Sequence, residues 1–259
     1  MTTTQEKLLL RTMPWLVTIG IFVLWELGCV LTNAPEFILP RPSVVWPATV
    51  KYAPQIAHHA FQTFYTTFAG FVLAVVGGML LGLFIGASKL VYTGLYPALV
   101  GFNSIPKVAI VPVLVIWFGI GTIPAIITAF VISFFPIVVN VATGLATIEP
   151  ELRDVLRCLG ASRTEILIKI GIPRAMPYLF ASLKIAITLA FVGSVIAETV
   201  ASNEGIGYLM LSASSSYNVP LVFSGLVVVG IMGVLMYFVA AWFERRMTGW
   251  AFRGSDLMT

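Results

Sequence analysis

From Val108 to Ile148 the chain carries no Asp, Glu, Lys or Arg, a run of 41 residues. At 1.5 Å per residue that length makes roughly 60 Å of helix, about two hydrocarbon cores of a bilayer. The run therefore predicts a membrane hairpin. Its turn is predicted at Gly119-Ile120-Gly121-Thr122-Ile123-Pro124, because paired glycines and a proline punctuate a helix there. The whole composition agrees with a membrane location: of 259 residues 59% are hydrophobic and only 10% charged, and the mean hydropathy is +0.98. With roughly 20 apolar residues per crossing, such a chain holds about five to seven spans and no large soluble domain.

Charged residues mark the other spans. Met13 to Leu31 is a first, interrupted only by Glu26; Phe64 to Ser88 is a second; Pro177 to Ala197 and Pro220 to Phe243 follow the hairpin. Leu90 to Pro106, broken by Pro97, Asn103 and Pro106 and flanked by lysines, is expected to be an elbow on the inner side rather than a span. The expectation is an all-α membrane protein of about six helices, with residues 1–259 as one transmembrane domain. Twelve basic residues, among them Lys7, Arg11, Lys89, Lys107, Arg157, Lys169, Arg245 and Arg253, fall on one side, and only Arg41 and Lys51 fall opposite. By the positive-inside rule the crowded side is cytoplasmic, so both termini are expected inside and residues 33–60 and 199–219 outside. The first span also has the shape of a secretory signal, but its length, its Glu26 and the spans that follow favour a retained anchor.

The net charge of +4 is thus accounted for by cytoplasmic loops, which points away from nucleic acid as a partner. Cys29 and Cys158 fall in different predicted compartments, so neither a disulfide nor a metal site is expected of them. Ala74, Gly78, Gly82 and Gly86 repeat every four residues and line up as one ridge of small side chains. That ridge admits a close neighbour, either a helix of the same chain or a second copy.

The loop 149–176 is specified residue by residue. Pro150 suits the start of a helix in which Leu152, Val155, Leu156 and Leu159 share one face and Arg153, Asp154 and Arg157 the other. Gly160 ends it, Ser162 and Glu165 form a capping box for a second helix, and Pro173 is expected to terminate that helix. A plain connector needs no such detail. A cytoplasmic partner is the natural reason, and an amphipathic helix resting on lipid headgroups is the alternative.

At this loop the sequence resembles the permease subunits of bacterial ABC importers of the type I fold. Their cytoplasmic signature is matched by Asp154-Val155-Leu156, Gly160-Ala161-Ser162 and Ile170-Gly171-Ile172-Pro173, with Asp in place of the usual Glu and Val-Leu in place of Ala-Ala. The likeness extends over nearly the whole chain. Leu39-Pro40-Arg41-Pro42, Ile105-Pro106-Lys107-Val108-Ala109, Ile116-Trp117-Phe118-Gly119-Ile120-Gly121, Ala197-Glu198, Gly205-Ile206-Gly207-Tyr208 and Glu244-Arg245 followed by Trp250 are similar to the subfamily that imports nitrate, bicarbonate, sulfonates and taurine. Relatives within it carry pyrimidine precursors of thiamin.

The resemblance implies that Glu151, Asp154, Val155, Leu156, Cys158, Leu159, Gly160, Ala161, Ser162 and Pro173 couple the chain to an ATPase. It implies two copies of a separate ATP-binding subunit carrying ATP and Mg, a second permease copy, for which the subfamily resemblance favours a homodimer, an extracytoplasmic binding protein, and a bacterial inner-membrane location. A small anion such as a sulfonate or nitrate is the leading substrate, with a neutral heterocycle as the alternative. No Gly-x-x-x-x-Gly-Lys-Ser/Thr occurs, so ATP hydrolysis, any bound cofactor and any metal are not expected of this chain.

Polar residues inside apolar spans are the candidates for a pathway. Asn103 and Ser104 beside Pro106, Asn140 in the fourth span and Glu198 at the outer end of the fifth are the ones chosen, although Glu198 reads equally well as a carboxylate exposed near the surface. Glu26 has the alternative of bonding a neighbouring helix, and Lys107 and Lys184 that of reaching the headgroups. Two other classes stand beside the importer. An intramembrane protease is disfavoured because His58 and His59 are the only histidines and lie outside the predicted spans. An ion-coupled secondary carrier using Glu26 and Glu198 is the stronger rival.

Overall fold

The computed structural model describes residues 3–147 and 150–248, and its regular elements are all helical. In order these are α1 (Thr3–Leu31), α2 (Pro42–Lys51), α3 (Ala53–Gly86), α4 (Lys89–Asn103), α5 (Val111–Phe118), α6 (Thr122–Ala146), α7 (Pro150–Cys158), α8 (Arg163–Ile166), α9 (Ile172–Ala201), α10 (Ile206–Ser215) and α11 (Val219–Thr248). Five helices, α1, α3, α6, α9 and α11, are each long and apolar enough to cross a bilayer. A sixth crossing exists only if α4 and the segment Lys107–Phe118 count as one span bent by 77°.

That bend corrects the predicted hairpin. Its turn is where expected, with Gly119 and Gly121 separating α5 from α6. Its first arm, however, is a four-residue 3-10 turn followed by the eight residues of α5, about 12 Å of α-helix and too short to cross alone. The absence of charge from Val108 onward measured apolarity and not continuity. Leu90 to Pro106, expected to be an elbow, holds α4 and the break after it, and adds length to a crossing only if the bent pair is one span. Lys107 pins the corner, its Nζ donating to the Asn103 carbonyl at 2.6 Å and to the Asn103 side-chain oxygen. Ile148, the end of the expected hairpin, lies outside the described residues, as do Glu149, Trp250 and Arg253.

Contacts divide the chain into two compact units, Met1–His58 with Leu209–Val228, and His59–Tyr208 with Val229–Thr259. In the first, Pro42 starts α2 at the position where a missing N–H costs nothing. Glu26 of α1 then accepts from Ser43 N at 3.0 Å and Ser43 Oγ at 2.8 Å, so a carboxylate sits on the free donors of a helix N-terminus. Glu26 thus bonds a neighbouring helix. Trp25 packs against Phe223 with ring centroids 5.6 Å apart. Thr49 of α2 bonds Ser224 at 2.9 Å.

The second unit is built around α6. The small-residue ridge of α3 meets it face on: a Cβ placed at Gly78 would lie 2.9 Å from Ile137, at Gly82 2.7 Å from Val141 and at Gly86 2.7 Å from Leu145. Of the two neighbours left open by the sequence, the ridge serves a helix of its own chain. On α9 the same device recurs, because Gly144 of α6 would bring a Cβ to 3.1 Å from the Ala175 backbone. Ala74, Ile137, Val141, Leu179 and Ala186 are buried together as the core of this three-helix contact.

Candidate functional site

Two sites emerge. The first is the loop between α6 and α9. α7 begins at Pro150 and ends at Cys158, and Gly160 follows with φ of 84°, the left-handed conformation that stops a helix and that a Cβ disfavours. Ser162 and Glu165 form the expected capping box: Ser162 N donates to Glu165 Oε2 at 2.9 Å, and Glu165 N donates to Ser162 Oγ at 3.2 Å. Both ends of the loop helix are thereby fixed by local chemistry.

Pro173 behaves differently from expectation. The helix begun at Arg163 widens into one π-helical turn, Leu167–Gly171, and runs on into α9, in whose first turn Pro173 sits. A widened turn relaxes the pairing that proline cannot make, so the ring is absorbed without ending the helix. Of the coupling candidates only Pro173 lies on this continuous helix, and the others stand on α7 and in the segment 159–162 that precedes it. Glu151, Asp154, Val155, Cys158, Leu159, Gly160 and Ser162 are exposed, and Leu156 and Ala161 half-buried. Val155 and Leu159, on the apolar face of α7, are 56% and 77% exposed. Asp154 and Arg157, on its polar face, pair at 3.5 Å.

The second site surrounds Glu198. The residue is only 1% exposed, so the alternative of a surface carboxylate does not describe it. Thr63 Oγ1 of α3 donates to Glu198 Oε2 at 2.7 Å and Thr66 Oγ1 to Oε1 at 3.0 Å. Ser194 Oγ, one turn back on α9, donates to Oε1 at 3.3 Å, and Gly207 N to Oε2 at 3.3 Å. Thr66 and Ser194 also bond each other. Beside them Ile206 N donates to Thr63 Oγ1 at 2.8 Å and Gly205 N to His59 Nδ1 at 3.1 Å. Three successive N–H groups at the start of α10 are thus taken by a carboxylate, a hydroxyl and an imidazole, where a negative charge is favoured. Gly205 has φ of 101°, and a Cβ there would fall 2.2 Å from the Glu198 carboxyl carbon.

Thr66 and Ser194 have one proton each for the bond between them and for Glu198, so three donors reach the carboxylate at once, and Glu198 ties α3, α9 and the start of α10 together. The sequence pointed to Glu198 alone and missed Thr63, Thr66, Ser194 and His59. Two signals were present, the Thr63/Thr66 and Ser194/Glu198 spacings that put each pair on one helix face, but nothing in the sequence says that those faces meet.

The remaining pathway candidates are not gathered with it. Asn103, Ser104 and Pro106 are exposed at the α4–α5 corner, and Asn140 is half-buried in α6. Their bonds are local: Ser104 Oγ donates to the Val100 carbonyl at 3.1 Å and Asn140 Nδ2 to the Pro136 carbonyl at 2.8 Å. Lys184 does not reach outward but pairs with Glu244 at 2.6 Å. Cys29 is buried and Cys158 exposed, and both are free. Among the described residues no group of three or more His, Cys, Asp or Glu is placed to hold a metal.

Residues 74–249 match the family model described as "Binding-protein-dependent transport system inner membrane component". Among curated proteins, the chain is 30% identical over 89% of its length to the riboflavin transport system permease protein RibX of Chloroflexus aurantiacus, covering 87% of that protein. It is 26% identical to the formylaminopyrimidine transport permease protein ThiX of Halalkalibacterium halodurans, covering 92% of this chain and 95% of that one. It is 28% identical to the putative aliphatic sulfonates transport permease protein SsuC of Escherichia coli, covering 96% of each. Among solved structures, a chain of the inward-facing MetNI methionine ABC transporter superposes with a TM-score of 0.63 at 21% identity, over 72% of this chain and 93% of that one.

Proposed function

The chain belongs to the family of inner-membrane components of binding-protein-dependent transport systems, the ABC importer permeases, and on that premise we propose that it forms the pathway for a small nutrient driven by ATP hydrolysis on a separate subunit. Two copies of the chain, two ATP-binding subunits carrying ATP and Mg, and an extracytoplasmic binding protein make up this assembly in a bacterial inner membrane. In this reading both termini, and with them the loop holding α7, face the cytoplasm, which the distribution of basic residues supports.

One observation carries the reading. α7 starts at Pro150, stops at Gly160 and is followed by the helix that the Ser162–Glu165 box caps, yet Val155 and Leu159 on the apolar face of α7 are left exposed. A short, rigid helix with an uncovered apolar edge is preorganised to enter a groove on a partner. The continuous path from Arg163 through the π-turn into α9 gives movement of that partner a stiff route into the membrane. ATP binding then favours one arrangement of the assembly and hydrolysis the other.

For the substrate, these relatives support two chemistries with nearly equal identity: nitrogen heterocycles, through the riboflavin and formylaminopyrimidine permeases, and small sulfonates. Ligand screening of the binding protein that purifies with the complex separates the two. Replacing Val155 and Leu159 by Glu tests the docking face. Loss of the co-purifying ATPase with an unchanged melting temperature of the chain supports it, and full recovery of the ATPase with the double variant removes it.

A further inference from the structure

Within the second unit a cavity of about 450 Å3 lies between α3, α9 and α11. Phe68 of α3, Phe180 and Leu183 of α9, and Met236, Ala240 and Phe243 of α11 are among its walls, and every lining side chain is apolar. All three helices are candidate membrane spans. Water entering such a space would find no polar partners. Left empty, it would forfeit the dispersion contacts of its whole lining. Hydrocarbon is the filling that a bilayer supplies.

One end of the cavity is charged. Lys184 lies on the same face of α9 as Phe180 and Ile187, and its ion pair with Glu244 bridges α9 to α11. The bridge fixes the two walls at that end, so the space is preformed rather than collapsed. Along α11 the lining follows helical phase through Met232, Met236, Val239 and Phe243, and three positions further on the same stripe stands Arg246. Arg245 and Arg246 are both exposed. Lys184 and Glu244 neutralise each other, so Arg246 leaves this end positive.

We propose that the cavity binds one acyl chain of an anionic phospholipid whose headgroup is held by Arg246. Basic residues at the mouth of an apolar pocket between spans are the chemistry that selects such lipids. The proposal depends on membrane insertion and not on the transported substrate.

The test uses the full chain with its co-purifying subunits, reconstituted in phosphatidylcholine vesicles holding a minor fraction of phosphatidylglycerol with a photoreactive diazirine in its acyl chain. After irradiation, adducts are mapped by peptide mass spectrometry. They are expected to concentrate on Phe68, Leu183 and Met236 over Phe238, which is 64% exposed on α11 outside the cavity. Arg246→Gln lowers the cavity adducts roughly five-fold, the worth of one surface cation toward an anionic lipid, and so does moving the diazirine onto phosphatidylcholine. Ala240→Trp, which fills the space, removes them while those at Phe238 persist. Equal labelling of cavity and Phe238, indifference to the headgroup, or photo-cross-links from a reagent at Met236 to a second copy of the chain would each overturn the proposal. Should Ala240→Trp fail to assemble, the exposed Arg246 position and the headgroup comparison decide it.

Discussion

Replacing Gly82 by Ala adds one methyl group where the α3 ridge meets α6. Its Cβ would stand 2.7 Å from Val141 Cβ and 2.9 Å from the Val138 carbonyl oxygen. Carbon atoms in contact prefer about 3.5–4.0 Å, so the shortfall is on the order of 1 Å, and because backbone is among the obstacles it cannot be relieved by a rotamer change. Overpacking of that kind costs about 1–3 kcal/mol. The backbone obstacle puts this site in the upper part of that range, about 2–3 kcal/mol, and alanine's better helix propensity returns up to about 1 kcal/mol, which leaves a net loss of roughly 1–2 kcal/mol. Gly94→Ala on α4 is the matched control, since nothing lies within 4 Å of a Cβ there. Only the propensity gain applies to it. Unfolding of both variants in mixed detergent micelles, read by circular dichroism, is expected to give opposite signs. A Gly82→Ala protein as stable as wild type, or a Gly94→Ala protein equally destabilised, would refute the reading of the ridge as an intrachain contact.

At the buried carboxylate, Glu198→Leu strands the Gly207 N–H, whereas Ser194 keeps its bond to Thr66, and Thr63 and Thr66 fall back on the carbonyls of His59 and Gln62. A loss of about 1–3 kcal/mol is expected by the same unfolding assay, with Glu198→Gln intermediate. Gly205→Ala, which must push its methyl into that carboxylate, is expected to be no better tolerated, as measured by the yield of folded chain. In the loop between α6 and α9, Gly160→Asn should retain coupling, because Asn tolerates the left-handed conformation, and Gly160→Val should lose it; ATPase stimulation by the loaded binding protein reports both. Asn140→Leu leaves transport and substrate preference altered only if that side chain lines the pathway, and unchanged uptake of both substrate classes removes it from the pathway.

The elements that depend on neighbours in sequence were legible before any coordinates. The Gly119–Pro124 turn, the start at Pro150, the stop at Gly160 and the Ser162–Glu165 box are each determined within a few residues, and each appears in place. The ridge on α3 was legible as a spacing, but its partner α6 was not, since periodicity shows a face and never what covers it. Hydropathy failed at α4 and α5 because an uncharged run does not reveal a 77° corner, which here is held by Lys107 on Asn103. Pro173 was misread because a π-turn just before it provides slack that no local pattern announces. Glu198 was visible only as an intramembrane charge; the hydroxyls that satisfy it come from residues 132 and 135 positions away along the chain.

The central claim, that α7 couples this permease to a separate ATPase, is tested most directly by purifying the tagged chain from its native membrane as wild type and as Gly160→Pro and measuring ATP hydrolysis of what accompanies it. Proline cannot adopt the left-handed conformation that Gly160 holds, so the ordered end of α7 is lost while the membrane spans are untouched. The account predicts a co-purifying P-loop ATPase whose activity is lost or no longer responds to the loaded binding protein in the variant. Recovery of the chain alone, with uptake that follows an ion gradient and is indifferent to Gly160→Pro, would contradict it.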